Sequence, residues 1–169
     1  VESINCSKDY TEFLNEAEAS KISDNLFYLP YLMGERTPHN DPNCRGTFIG
    51  MNITHQRKNM TRAVLEGVAF SLRDTFEIMK SMGVEIQRIS INGGGTKSNL
   101  WSQIFADVLG LEVDKLNSNE GPAYGAAILA AVGYGQFENV EDACQKLIKV
   151  TETTRPNKEN IEIYNEKYN

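Results

Sequence analysis

The 169-residue chain has little of the material from which metal sites and disulfide frameworks are built. It contains two histidines, His39 and His55, and three cysteines, Cys6, Cys44 and Cys144, which stand far apart and form no C-x-x-C pair. So few and so scattered ligands argue against a zinc site, and an odd number of distant cysteines indicates free thiols. We therefore predict no metal ligands in this chain.

Long hydrophobic runs and an excess of positive charge are also missing. No apolar stretch approaches the roughly 20 residues that a membrane-spanning helix needs. The formal net charge is −6, and this disfavours nucleic acid as a partner, because binding to a phosphate backbone depends on lysine and arginine. We expect no membrane contact and no nucleic-acid partner, and the free thiols favour a cytoplasmic location.

Familiar catalytic arrangements are absent from the pattern of residues. Spacing suggests neither a Ser–His–Asp triad nor a carboxylate pair, and the phosphate-binding pattern G-x-x-x-x-G-K-[ST] does not occur. No catalytic residue is predicted. The composition, with 40% hydrophobic and 24% charged residues, is that of an ordinary globular domain, and the length fits one such domain.

Hydrophobic periodicity predicts short strands that alternate with helices, which is typical of an α/β fold with some parallel pairing. Helices are predicted at 7–20, from a start between 54 and 59 to about 83, before Gly110, after Pro122 and at 140–149, and strands at 26–32, 47–53, 87–92 and 111–116. The polar tail after Pro156 is expected to be helical and frayed.

Two of these helices carry further expectations. On the long helix, four apolar residues recur at every fourth position and are expected to form its buried stripe: Val64, Val68, Leu72 and Phe76. Polar residues of the same helix, including Arg62 and Glu66, are expected on other faces. The helix after Pro122 is rich in alanine and glycine, so we expect a neighbouring element to pack close to its backbone.

Three consecutive glycines, Gly93, Gly94 and Gly95, join the strand at 87–92 to the next helix. Glycines allow a ligand to approach the backbone, and the N–H groups and dipole of a helix start attract an anion. The nearby polar side chains are Thr96, Ser98 and Asn99. From spacing alone, an anion-binding turn and a tight connection that only needs positive φ are equally good interpretations. The dinucleotide fingerprint is incomplete, because Ser98 replaces its last glycine.

Four weaker candidates have a better structural or solvated interpretation than a functional one. They are the Glu35–Arg36 pair, His55, Lys97 and the Glu120-Gly121-Pro122 turn.

Several motifs together resemble the FGGY family of carbohydrate kinases, over about residues 26–150. "GTFIGMNITHQRKNMTRAVLEG" resembles the C-terminal signature of that family, with matches at Gly46, Phe48, Gly50, Asn59, Ala63 and Glu66. "INGGGTKSNLWSQIFADVLG" is similar to the adenine-nucleotide turn of the family, and "EGPAYGAAILAAVG" to the helix that follows it. "LMGERTPHNDPNCRG" resembles the family's xylulose kinases more than its glycerol kinases.

This resemblance implies an actin-like ATPase fold of the ribonuclease H type. Family members transfer the γ-phosphoryl group of ATP, with Mg²⁺, to a sugar hydroxyl, and for the xylulose kinases the product is D-xylulose 5-phosphate. Alternatives are a kinase of the ribulose, gluconate or glycerol type, or a non-catalytic actin-like module that binds nucleotide. The resemblance places Gly94, Gly95, Thr96 and Asn99 in the ATP site, with the amide of Asn99 beside the adenosine.

One departure from the family limits these expectations. Full-length members are much longer, and their N-terminal domain supplies most contacts with the sugar, while their catalytic aspartate lies upstream of the segments matched here. We therefore expect residues 1–169 to be the nucleotide-side, C-terminal part of such a kinase, without its sugar-binding domain and without the first strands of its own domain. Alone it should be inactive, and an open strand edge would allow a homodimer.

Overall fold

The computed structural model of the protein describes residues 10–20, 22, 25–118 and 120–169, and it describes only the backbone of Thr96. Cys6 and residues 7–9 of the first predicted helix lie outside this range. The elements in chain order are α1 (Tyr10–Glu18), β1 (Phe27–Leu29), β2 (Thr47–Ile49), α2 (Arg57–Ser81), β3 (Arg88–Ile91), a 3₁₀ turn (Gly94–Lys97), α3 (Asn99–Leu109), β4 (Glu112–Leu116), α4 (Gly121–Gly133), α5 (Val140–Leu147), β5 (Val150–Thr154) and α6 (Lys158–Tyr168).

The strands form two sheets. β1 and β2 pair antiparallel, whereas β3, β4 and β5 form a second sheet in that spatial order. β3 runs parallel to β4, with Ile89 opposite Val113, and β5 runs antiparallel to β4. The predicted alternation of strands and helices with some parallel pairing is therefore confirmed. β5 was not predicted, because its residues are mostly exposed and polar and show no apolar alternation.

The main hydrophobic core lies between helices α1, α2, α3 and α6. Six buried residues form its centre: Ala17, Leu65, Ala69, Ile104, Val108 and Tyr164. The side chain of Tyr164 in the C-terminal tail is fully buried. The tail is helical as predicted, but the prediction that it is frayed was wrong. Helix α6 is also capped at its start, where Asn157 Oδ1 accepts a hydrogen bond from the backbone N–H of Glu159.

The buried face of α2 differs from the predicted one. Leu65 and Ala69 face the core, whereas Leu72 is 44% exposed, and Arg62 and Glu66 are buried rather than solvated. These two charged side chains are buried because α6 supplies partners for them: Glu66 accepts hydrogen bonds from Arg62 Nε (2.8 Å), Tyr164 Oη (3.0 Å) and Lys167 Nζ (2.6 Å). A buried charge is tolerated when it is paired in this way.

The predicted end of one helix at Gly110 and the predicted start of another at Val140 are confirmed. Ser98 caps α3 by accepting a hydrogen bond from the N–H of Trp101 (3.2 Å), and Gly110 ends the helix in the left-handed conformation with φ 66°. Asn139 caps α5 by accepting from the N–H of Asp142 (2.9 Å). β1 stops before Pro30, which cannot donate to a strand ladder.

The second predicted strand, 47–53, is shorter in the structure and ends at Ile49. Gly50 follows with φ 85°, and a Cβ atom there would overlap the carbonyl oxygen of Asn25. The chain turns at this glycine, so the strand cannot continue to Ile53.

Beyond its first turn, helix α4 lacks the close neighbour that its composition predicted. Ile128 is its only buried residue, Leu129 is 60% exposed, and a Cβ added at Gly125 or Gly133 would meet no atom within 4 Å among the described residues. This expectation therefore holds at Gly121, where Asn92 lies close, and is wrong at Gly125 and Gly133 for the part of the chain that the structure describes. The exposed side of α4 carries alanines and Leu129 and is unusually apolar for a solvated surface.

Cys44 and Cys144 are both free thiols. Among the helices of the described ranges, none is long and apolar enough to cross a membrane.

Candidate functional site

The glycine turn lies directly beyond the carboxyl end of β3. Gly93 has φ 93°, a conformation that side-chain-bearing residues rarely adopt, and the 3₁₀ turn that follows is closed by the N–H of Ser98 donating to the carbonyl of Gly95 (3.1 Å). Helix α3 then begins at Asn99. In open α/β sheets, ligands bind beyond the carboxyl ends of the strands, so the turn occupies a position suited to a binding site.

The three glycines of the turn have different surroundings. A Cβ atom on Gly93 or Gly94 would point into open space among the described residues, and Gly94 is exposed. A Cβ atom on Gly95 would lie 2.8 Å from two ring carbons of Trp101, which stacks against Phe105. Close packing against Trp101 therefore gives Gly95 a structural reason to be glycine, apart from any ligand.

The polar side chains near the turn also differ in what they are free to do. Ser98 is 5% exposed, and its hydroxyl is used as the cap of α3, so it is not available to a ligand. Asn99 is exposed, and its Oδ1 accepts a hydrogen bond from Lys115 Nζ at 2.8 Å. The side chain of Thr96 lies outside the described part of the structure, so its predicted role stays a prediction.

Sequence reasoning did not single out Lys115. It lies at the end of β4, where the parallel register places it opposite Ile91, two residues before the glycines. Its ammonium group also contacts Glu152 Oε2 on β5 at 2.9 Å. Only knowledge of the register of β3 against β4 could have placed this lysine beside the turn.

A second turn lies beside the first, at the carboxyl end of β4. The start of α4 approaches the end of β3 here, because a Cβ on Gly121 would lie 3.3 Å from the Cβ of Asn92. The amide of Asn92, with its nitrogen facing the neighbouring carbonyls, donates to Ser118 O at 3.0 Å. A small cleft opens between the two turns, lined by Asn92, Ser118, Gly121 and Tyr124 among others. The starts of α3 and α4 therefore face the same end of the sheet.

The weaker candidates have structural or surface roles, as predicted. Glu35 accepts hydrogen bonds from the backbone N–H groups of Thr37 (2.6 Å) and His39 (2.7 Å), so it holds its own loop together. His55 Nδ1 accepts from the N–H of Asn52 at 2.9 Å. Lys97 is exposed at the end of the 3₁₀ turn.

The described contacts in the segment that carries the family signature are structural ones. Gly50 permits a turn against Asn25, and a Cβ on Gly46 would lie 3.1 Å from Tyr28 Oη. Asn59 Oδ1 accepts a hydrogen bond from the N–H of Gln56 (2.8 Å) and so helps to start α2. Helix α2 itself lies close to the first sheet at Gly67, where a Cβ would overlap the carbonyl oxygen of Tyr28.

Comparison with known proteins identifies the family of this chain. Residues 2–134 match the FGGY family of carbohydrate kinases, C-terminal domain. The chain belongs to the FGGY family of carbohydrate kinases. A similar curated protein is the xylulose kinase of Staphylococcus epidermidis, which is 44% identical over 163 residues that span 96% of this chain and 33% of that protein.

Solved structures of the family share the fold. The xylulose kinase of Rhodospirillum rubrum superimposes with a TM-score of 0.78 at 33% identity, covering 94% of this chain and 32% of that one. The gluconate kinase of Lactobacillus acidophilus gives a TM-score of 0.86 at 28% identity, covering 97% of this chain and 33% of that one. The predicted α/β, actin-like ATPase fold is therefore confirmed, and the chain spans about a third of the length of these relatives.

Proposed function

We propose that this chain is the nucleotide-side, C-terminal part of an ATP-dependent sugar kinase that converts D-xylulose to D-xylulose 5-phosphate. The proposal rests on membership of the family and on relatives, at 44% and 40% identity, that are xylulose kinases. In this reaction the γ-phosphoryl group of MgATP passes to a hydroxyl of the ketose. The ketose and ATP are thus the proposed small-molecule partners.

The structural observation that supports the nucleotide site is the exposed Gly94, where a Cβ atom would meet no described atom within 4 Å. It lies at the carboxyl end of a parallel strand and just before α3, where backbone N–H groups and the helix dipole favour a phosphate. We propose that Gly94, Gly95, Thr96 and Asn99 line the ATP site. The backbone at Gly95–Thr96 would lie near the phosphates, and the amide of Asn99 beside the adenosine.

The Mg²⁺ that accompanies ATP is proposed to be carried mainly by the phosphates. The described residues contain no group of three or more His, Cys, Asp and Glu side chains arranged to hold a metal ion. This fits the usual behaviour of Mg²⁺, which keeps several waters and is bound through substrate phosphates and one or two carboxylates.

Phosphoryl transfer depends on holding both substrates in line and on neutralising the transferred group. The glycine turn offers a surface for nucleotide only, and the chain spans 33% of the length of the S. epidermidis enzyme. We therefore propose that sugar contacts and the catalytic base come from a sugar-binding domain outside residues 1–169. This chain alone would bind nucleotide weakly and would not catalyse.

The second candidate function is a kinase of the same family that phosphorylates a sugar other than xylulose. The structural similarity to a gluconate kinase, with a TM-score of 0.86, is as strong as that to the xylulose kinases. Assays of phosphoryl transfer to xylulose, ribulose, gluconate and glycerol by the complete kinase would separate these alternatives.

Two further parts of the proposal concern the setting of the protein. Cytoplasmic enzymes commonly keep free thiols, and Cys44 and Cys144 fit that location.

In the described part of the chain β3 pairs with β4 alone, so its other edge could pair with a second copy of the chain. Analytical ultracentrifugation tests this homodimer, and the mass of a monomer at every concentration would contradict it.

Titration of the ¹⁵N-labelled chain with MgADP tests nucleotide binding at the turn. We expect the amide signals of residues 93–99 to move in a saturable way, and those of α5 to stay in place. In the Gly94→Val variant the Cβ would meet no described atom within 4 Å, so the fold should persist while the shifts disappear. Equal shifts in wild type and variant, or none at the turn in the wild type, would contradict the proposal.

A further inference from the structure

Lys115 connects the middle strand of the three-stranded sheet to the start of α3. Its Nζ lies 2.8 Å from Oδ1 of Asn99 and 2.9 Å from Oε2 of Glu152. The lysine side chain is only 13% exposed, whereas that of Glu152 is 53% exposed. An ion pair with such an exposed carboxylate contributes little to stability, so the contact with Asn99 is the more consequential of the two.

The backbone of Lys115 is held in place by an irregularity in the pairing of β4 with β5. Lys115 pairs with Glu152 and the next residue, Leu116, pairs with Val150, so Thr151 is an extra residue in β5. The hydroxyl of Thr151 donates to the carbonyl of Lys115 at 3.1 Å. Bulges of this kind re-aim side chains and are common beside functional sites.

The chemistry of the contact decides how the Asn99 amide is turned. An ammonium group has donors and no acceptor, so the oxygen end of the amide must face Lys115. The nitrogen end then points away, and Nδ2 has no hydrogen-bond partner among the described residues. Asn99 is exposed at the first position of α3, so a ligand at the turn meets an amide that offers donors only.

We propose that Lys115 is a positioning residue that locks the Asn99 amide so that its NH₂ group donates to an acceptor atom of the bound adenosine. The acceptor is a ring nitrogen or a ribose oxygen. This inference rests on the proposed nucleotide site. It adds the orientation of the Asn99 amide and a preference for ligands that place an acceptor atom beside it. Without Lys115 the amide can turn over and present its oxygen instead, which matches none of these acceptors.

The experiment compares three variants of the full chain by ¹H–¹⁵N spectroscopy during titration with MgADP. Lys115→Met keeps the apolar stem but removes the donors. Lys115→Arg retains a head group that has donors only, so it should bind ADP more tightly than Lys115→Met does. Glu152→Gln is the matched control, because it removes the negative charge of the other partner of Lys115 and leaves the contact with Asn99.

We expect Lys115→Met to weaken ADP binding by about 3- to 10-fold, the usual worth of one well-aligned hydrogen bond. Glu152→Gln should bind within about 2-fold of the wild type, since its ion pair is exposed. The side-chain NH₂ signal of Asn99 should move on ADP binding in the wild type and should broaden or stay still in Lys115→Met. Backbone signals of β5 report whether each variant is folded.

A fourth variant tests the donor itself. Asn99→Asp keeps the shape of the side chain and its contact with Lys115, and a carboxylate at the start of a helix is favourable, so the fold should be retained. Uncharged adenosine is the probe, because it avoids repulsion between carboxylate and phosphates. We expect at least a 3-fold loss of adenosine binding, as expected when one donor is removed.

The outcomes separate the two proposals. If wild type responds at the turn but Lys115→Met and Asn99→Asp bind equally well, the positioning role is overturned while the nucleotide site stands. If the wild type does not respond at the turn, the nucleotide site is contradicted and the role of Lys115 with it.

Discussion

Replacement of Glu66 by glutamine is the perturbation whose effect on stability the structure predicts most sharply. Glu66 is 2% exposed and accepts hydrogen bonds from Arg62, Tyr164 and Lys167. The side chains of Arg62 and Lys167 are each 8% exposed, so both cations depend on this one carboxylate. In Glu66→Gln the two charges lose their counter-ion, and the new NH₂ group faces other donors.

The magnitude follows from this burial. Breaking a buried ion pair by removing one partner costs about 3–5 kcal/mol, because an uncompensated charge is left behind. For a domain of this size each kcal/mol lowers Tm by roughly 2–4 °C, so Tm should fall by about 6–20 °C. The loss should be greatest at the contact between α2 and α6, which the network joins.

Urea unfolding followed by circular dichroism measures this loss. The matched control is Glu77→Gln on the same helix, where the carboxylate is 39% exposed and pairs with Lys80 at 3.2 Å. This control should change the free energy of unfolding by about 0.5 kcal/mol or less. Equal, small effects of the two substitutions would refute the view that Glu66 holds α6 in place.

Three other predictions concern single positions. Gly95→Ala should lower the free energy of unfolding by about 1–3 kcal/mol, because its Cβ meets Trp101, whereas Gly94→Ala should be nearly neutral by the same urea assay. Gly50→Ala should destabilise the chain measurably in thermal unfolding, since φ is 85° and the carbonyl of Asn25 blocks the Cβ; an unchanged Tm would count against this turn. Burial and the hydrogen bond to Asp74 raise the pKa of Tyr168 to about 12. A raised pKa contributes stability that is complete below about pH 10, the ordinary tyrosine value, and is lost towards pH 12. Tyr168→Phe should flatten the fall in Tm between those pH values, and an identical alkaline profile would show that the tyrosine does not contribute.

Local signals predicted a large share of the fold. Gly110 marks the end of α3 because a left-handed glycine acts on its own few neighbours. Some parallel pairing, found between β3 and β4, followed from the alternation of strands with helices.

Features that depend on distant partners were missed. Arg62 and Glu66 were expected to be solvated because nothing local shows that Tyr164 and Lys167 lie about 100 positions further along the chain to receive them. β5 lacks hydrophobic alternation and is a strand only because β4 is there to pair with it.

The sequence predicted the glycines of the candidate site but not the contacts around them. Its glycines stand out in the sequence, but the packing of Gly95 against Trp101 and the approach of Lys115 to Asn99 depend on tertiary structure. These contacts distinguish the glycines that leave the backbone open from the one that fits under an aromatic ring.

The most direct test of the account is a crystal structure of the chain with MgADP, obtained at nucleotide concentrations high enough to fill a weak site. We predict phosphate oxygens within hydrogen-bond distance of backbone N–H groups in the Gly94–Lys97 turn, and the adenosine next to Asn99. ADP bound elsewhere on the chain, with the backbone of Gly93 and Gly94 uncontacted, would contradict the account.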